Sequence, residues 1–292
     1  MRFQFIADRC GEHPVTRVCK SLCVSPSGYY AWRSRLPSQR EMANRELVER
    51  IKAVFESNLG VYGSPRVYRE LQAQGVACSE NRVARLMRLY GIRAKQSRRF
   101  KTTTKRNKAH PVAPNLLSQD FRADRPDQKW LADITYIRTD EGWLYLSLVL
   151  DLYSRRIVGW AMSDRMTSDL TKESLLMALW QRRPSALEIH HSDQGSQYTA
   201  TMYRQLLASN GIRASMNGVQ TWYDNAPMES FIGTLKSELT HHCIYRSRDE
   251  ARSDVFRYIE SFYNLRRLHS SLGYVSPHAC EQDYYKRERE LA

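Results

Sequence analysis

From residue 129 to residue 162 the chain is written in β-branched, aromatic and aliphatic residues, broken only at Asp140-Glu141-Gly142 and Tyr153-Ser154-Arg155. Turns this short join neighbouring strands antiparallel, so residues 129–138, 143–151 and 156–162 are expected to form a meander. Beyond residue 162, helix and strand patterns alternate. A helical pattern at 168–181 leads to a short strand at 187–191. A helix at 200–209, stopped by Asn210-Gly211, leads to a strand at 212–216 and then to a helix opened by Asp224-Asn225 with Pro227 in its first turn. A meander followed by helix–strand alternation closes into an α/β unit with a mixed sheet.

Three acidic residues break this pattern. Asp133 interrupts the otherwise buried run Trp130-Leu131-Ala132-Asp133-Ile134-Thr135-Tyr136-Ile137. Asp193 stands where the strand ending in His190-His191 gives way to the polar turn Gln194-Gly195-Ser196, and open α/β sheets place ligands at strand ends. On the last helix, Met228, Phe231, Ile232, Leu235 and Leu239 recur at helical spacing as the buried stripe. Glu229, Gly233 and Lys236 make a second stripe beside it, offering a carboxylate and an ammonium from one flank. Carboxylates of this kind, with no Cys or His among them, suit Mg²⁺ or Mn²⁺ and not zinc.

The wording around these acids is specific. His191-Ser192-Asp193-Gln194-Gly195-Ser196-Gln197-Tyr198 and Tyr223-Asp224-Asn225-Ala226-Pro227-Met228-Glu229-Ser230-Phe231, with Thr234-Leu235-Lys236-Ser237-Glu238, resemble the second-frame (OrfB) transposases of bacterial insertion sequences, within the retroviral-integrase-like DDE superfamily. The resemblance runs over nearly the whole chain. It implies an RNase H-like catalytic core, a mixed five-stranded sheet flanked by helices, preceded by all-α helix-turn-helix modules. Carried over residue by residue, it makes Asp133, Asp193 and Glu229 both catalytic residues and ligands of two Mg²⁺ or Mn²⁺ ions, and makes Lys236 the contact to the DNA end. Asn225 and Ser230 are supporting positions. The implied activity is cleavage at the element's terminal inverted repeats and transfer of the cut strand into target DNA. The implied assembly is a homo-oligomer on double-stranded DNA, expressed as a fusion with an upstream-frame protein. Asn217-Gly218-Val219-Gln220-Thr221-Trp222 departs from the basic stretch found in many relatives, which puts a DNA contact from that loop in doubt.

The remaining sequence agrees with a nucleic-acid partner. A formal charge of +14 calls for a polyanion. With no long apolar run and no secretory leader at Met1-Arg2-Phe3-Gln4-Phe5, the expected location is the cytoplasm, at the chromosome and away from any membrane. Cys10, His13, Cys19 and Cys23 could be metal ligands, but their spacing matches no common finger, and Val18 and Leu22 interleave with them as core residues do; zinc is not expected.

Residues 1–40 read as a small helix-turn-helix-like module, with Ser25-Pro26 opening its second helix. Residues 41–92 read as a second, trihelical one: an amphipathic helix at 43–58, a helix at 66–74 capped by Ser64-Pro65, and a helix from Ser79 to Tyr90. On the last, Arg82, Arg85 and Arg88 are expected to point away from the core together, towards DNA. Residues 93–127 form a basic linker. Between Arg93 and Lys108, eight of sixteen residues are Lys or Arg, and Arg98, Arg99, Lys101, Lys105 and Arg106 are expected to track phosphates. The catalytic core spans 128–240, and 241–292 close the chain with a helix whose buried face is read as Val255, Phe256, Ile259 and Phe262. Two readings compete with the transposase: a non-catalytic DNA-binding regulator of transposition, and an RNase H-type nuclease acting on hybrids.

Overall fold

The computed structural model describes residues 1–95, 113–184, 187–218 and 224–291. Three short helices, α1 (Arg2–Arg9), α2 (Val15–Ser21) and α3 (Pro26–Ser34), close around Ile6, Val18, Cys19 and Tyr29. Ser25 caps α3 by accepting the Gly28 N–H at 3.0 Å. Cys19 belongs to this core, whereas Cys10 and Cys23 are exposed.

The next three helices are α4 (Gln39–Ser57), α5 (Ser64–Ala73) and α6 (Glu80–Leu89). α4 starts ahead of the expected residue 43 because Ser38 accepts the Glu41 N–H at 3.2 Å, a cap hidden in a polar stretch. Ser64 is the first residue of α5, and Gly63 takes the cap position. Leu47, Ile51, Val67, Leu71, Val83 and Leu86 bury together, each worth about 1.5–3 kcal/mol relative to exposure. Arg85 and Arg88 are exposed as expected, but Arg82 is not: it is half-buried, and its Nε donates to Asn44 Oδ1 on α4 at 3.0 Å.

The α/β unit contains β1 (Lys129–Thr139), β2 (Gly142–Asp151), β3 (Ile157–Ser163), α7 (Ser168–Arg182), β4 (Ile189–Ser192), α8 (Ser196–Thr199), α9 (Thr201–Ser209), β5 (Arg213–Met216) and α10 (Ala226–Glu238). Among the described residues these strands form one five-stranded sheet in the order β3-β2-β1-β4-β5. β1, β2 and β3 pair antiparallel, while β4 runs parallel to β1 and to β5. Alternation along β1 divides the core in two: Trp130 and Ala132 pack with α7 and α9, and Leu131 and Ile137 with α10. α7 lies close on β3 at Gly159, where a Cβ would stand 2.2 Å from the Ser174 carbonyl oxygen. Only glycine permits that approach.

The C-terminal part corrects one expectation. α11 (Arg248–Phe256) passes directly into a π-helical turn, Arg257–Tyr263, before α12 (Pro277–Leu291). The extra residue per turn rotates the face. Val255, Ile259 and Phe262 are buried, but Phe256 is 49% exposed, and Tyr258 and Tyr263 enter the core. The tail's cationic residue Arg267 is also spent on packing: it pairs with buried Glu238, which accepts from Tyr258 Oη at 2.7 Å.

The stretch before the sheet packs as well. Leu117 is buried, and the N–H groups of Leu116 and Leu117 donate to Ser215 Oγ at 2.9 and 3.3 Å, so residues 113–127 lie on the α/β unit and are not an extended arm. The expected phosphate contacts Arg98, Arg99, Lys101, Lys105 and Arg106 lie outside the described residues, as do Val219, Gln220, Thr221 and Trp222 of the divergent loop. Among the described residues no helix is long and apolar enough to cross a membrane.

Candidate active site

The parallel pairing of β1 with β4 matches Lys129, Trp130 and Leu131 with Ile189, His190 and His191, and then β4 ends. Continuing that register sets Asp133 level with Asp193, just past the β4 terminus. The two acids thus meet where one strand stops and its neighbour goes on, which leaves a notch in the sheet. α10 crosses on the Leu131 side and brings Glu229 to the same notch.

Local hydrogen bonds hold each carboxylate. Asp133 Oδ1 accepts the Ile134 N–H at 2.7 Å, and Asp193 Oδ1 accepts the Gly195 N–H at 2.9 Å. A Cβ on Gly195 would stand 2.9 Å from Asp193 Oδ1, so a side chain there would displace the Asp193 carboxylate. Asn225, expected as a helix cap, makes no cap bond. Its Nδ2 donates instead to the Ala132 carbonyl at 3.2 Å, which ties the start of α10 to β1 next to Asp133.

The electrostatics are those of a site waiting for positive charge. Burial first, then the charges of Asp193 and Glu229, push the Asp133 carboxyl up to about 8, against the Ile134 N–H and Lys236. Burial also raises Asp193 and Glu229. Lys236 is half-buried; burial lowers its ammonium while Asp133 opposes the shift, and its Nζ lies 5.0 Å from the centre of the Tyr136 ring. One ammonium cannot balance three carboxylates.

Among the described residues no three His, Cys, Asp or Glu side chains close up as a ready-made metal cage. The acids form an open cluster. That suits Mg²⁺, which keeps several waters and takes only one or two carboxylates alongside substrate phosphate. All donors are oxygens, so the residues present fit Mg²⁺ or Mn²⁺.

The sequence singled out the three acids and Lys236 as candidates but not the groups packed beside them. His191 is fully buried, with Nδ1 2.8 Å from Ser215 Oγ and Nε2 2.6 Å from Asn217 Oδ1. Since Ser215 Oγ already accepts two backbone N–H groups, its own proton goes to Nδ1, and the imidazole is neutral with its proton on Nε2. Burial lowers its basicity in agreement. Tyr198 is buried beside the acids, and the charges of Asp133 and Asp193 add to burial in keeping its phenol protonated. The signal available for Tyr198 was its place in the polar turn after Asp193. Ser230 is exposed and its contribution is not visible in the fold.

Comparison with known proteins agrees with this architecture. The Integrase core domain family matches residues 123–221, a second Integrase core domain family matches 210–277, and the HTH-like domain family matches 42–100. The chain is 46% identical over 269 residues to the insertion element IS600 uncharacterized 31 kDa protein of Shigella sonnei, covering 92% of this chain and 99% of that one. It is 43% identical over 284 residues to the transposase InsF for insertion sequence IS3A of Escherichia coli (strain K12), covering 96% and 98%. Among solved structures, the HTLV-2 integrase catalytic core domain in complex with magnesium is similar over 55% of this chain and 99% of its own, at 16% identity and a TM-score of 0.42.

Proposed function

The chain belongs to the transposases of IS3-type bacterial insertion sequences, and on that premise we propose that Asp133, Asp193 and Glu229 form the cluster at which element ends are cut and joined. The observation that supports this reading is the meeting of three acids from distant segments at one notch, where burial first, and then the charges of Asp193 and Glu229, push the Asp133 carboxyl up to about 8.

Two divalent cations, Mg²⁺ or Mn²⁺, would be held by these three residues, and when bound would polarise the phosphate and lower the charge cost of the attacking and leaving oxygens. The protein's own part is positional. The Ile134 and Gly195 N–H groups each occupy one oxygen of Asp133 and Asp193, fixing both carboxylates. Asn225 locks α10 to β1 and so sets Glu229 against Asp133. Lys236, on the same flank of α10, neutralises phosphate at the DNA end. Water attack forms a P–O bond to the water oxygen and breaks the P–O3′ bond, leaving a 3′-hydroxyl and a 5′-phosphate; attack by that hydroxyl on target DNA forms one P–O bond and breaks another, so joining needs no energy source.

Arg85 and Arg88 on α6 add phosphate contacts, whereas Arg82 braces α4 through Asn44. Two ends must be held at once, so the working unit is a homo-oligomer on DNA. The test is Mg²⁺-dependent joining of a duplex carrying the element's terminal repeat. Asp193→Asn is expected to lose about a thousandfold or more in joining rate, roughly 4 kcal/mol, while still binding the duplex. Joining that persists in this variant refutes the assignment. Preferential degradation of an RNA–DNA hybrid by the unaltered protein would point to a nuclease instead.

A further inference from the structure

Past Asp133, β1 continues without β4 beside it and keeps β2 as its hydrogen-bonded neighbour. The register there pairs Tyr136 with Tyr145 and Arg138 with Trp143, so one face of this free end carries three aromatic rings and a guanidinium. Tyr136 and Trp143 are 43% and 46% exposed, although both are large apolar groups whose strand neighbours Thr135, Ile137 and Leu144 are buried. Their rings meet edge to face, centroids 5.0 Å apart at 78°. The Lys236 ammonium stands 5.0 Å from the centre of the Tyr136 ring. Arg138 is exposed on the far side.

Scattered exposed aromatics need no explanation. Here two are in contact, flanked by cations, and continuous through Lys236 with the carboxylate cluster. The acidic hairpin turn has a cation of its own beside it: Glu141 accepts the backbone N–H of Arg248 at 2.8 Å, and the Arg248 Nε donates to the Trp143 carbonyl at 3.2 Å. Aromatic faces edged by cations match a nucleotide, which presents a flat base on one side and a phosphate on the other. A base inside a duplex is already stacked and offers no face. Asp133 lies half-buried in the notch and not on an open face, and where terminal pairs open to bring a phosphate to it, the released bases lie at this ledge.

We propose that Tyr136 and Trp143 form a stacking platform for unpaired nucleotides of the DNA strand held at the carboxylate cluster, with Lys236 and Arg138 taking the adjoining phosphates. The inference rests on the proposed function only in taking that cluster as the place where the strand is held.

The experiment measures, by fluorescence anisotropy, how tightly the full chain binds a duplex with a short thymidine overhang and the same duplex with an abasic overhang. Charge is equal in the two probes, so only base stacking separates them. The unaltered protein is expected to prefer the thymidine overhang by about tenfold. Trp143→Ala removes the preference, and Trp143→Phe, which keeps an aromatic face, retains most of it. Equal binding of the two probes by the unaltered protein overturns the platform, and so does a preference that survives in Trp143→Ala or vanishes equally in Trp143→Phe. Metal-dependent joining is followed on the same samples. If the unaltered protein joins DNA without preferring bases, the platform falls and the proposed function stands. If it prefers bases but Asp193→Asn still joins, the function falls and the platform stands.

Discussion

Around Glu281 a buried carboxylate is surrounded by guanidinium groups; around Asp133 the half-buried carboxylates of Asp133 and Asp193 and the exposed one of Glu229 face one another. Glu281, on α12, accepts from Arg182 Nη1 and Nη2 at 3.0 and 2.9 Å and from Arg156 Nη1 at 2.8 Å, and Arg182 Nε also bonds both oxygens of Asp127 at 2.9 and 3.0 Å. Burial alone would raise the Glu281 carboxyl, but Arg182 and Arg156 hold it below its ordinary value. The network is closed within the protein and fastens α12 to the turn before β3 and to α7. At Asp133 burial acts with like charge and not against it, so the cluster is left to be completed from outside. Burial of a carboxylate therefore says little about function until its neighbours have been counted.

The largest effect that tests this contrast is on folding. Glu281→Gln leaves the Arg156 and Arg182 guanidinium groups without their main partner and is expected to cost about 3 kcal/mol in urea unfolding. Asp193→Asn, which relieves repulsion at Asp133, should leave metal-free stability unchanged or increase it. If both variants lose the same stability, the two carboxylate groups do not differ in kind.

A second test reads pH. The Asp133 carboxyl ionises near 3.8 in the unfolded chain and at about 8 when folded. Between these values the folded state keeps a proton that the unfolded state releases, so this residue's contribution to metal-free stability is full below the lower value and is lost as pH rises towards the upper one. Melting curves across that window should fall less steeply for Asp133→Asn than for the unaltered protein. Parallel curves would mean that Asp133 ionises normally. The smallest effect sets the baseline: the Arg45–Glu41 pair on α4 is formed at 2.8 Å but more than half exposed, and Glu41→Gln should change stability by less than about 0.5 kcal/mol.

Legibility followed the range of the interaction. Strand and helix positions of the α/β unit were readable because alternation and helical spacing are local, and Asp133, Asp193, Glu229 and Lys236 stood out because each breaks or borders such a pattern. The pattern failed where geometry departed from its period. Phe256 was placed on the α-helical stripe of Val255 and Ile259, but α11 leads into a π-helical segment whose buried face takes in Tyr258 and Tyr263 and leaves Phe256 exposed, and Arg82 was grouped with Arg85 and Arg88 although Asn44, on another helix, draws it inward. Glu281 carried no signal, since its partners lie at least 99 residues away.

By itself, the sequence determined which segments become strands and helices, that the chain is strongly cationic, and which family's motifs the acids belong to. Those properties depend on residue type and near spacing alone. Only the tertiary structure decided that β4 ends one residue short of the level of Asp133, that Asn225 joins α10 to β1, and that Lys236 lies over Tyr136. Each of these is set by packing between elements distant in the chain, and it is packing that converts three ordinary carboxylates into one strained group of charge.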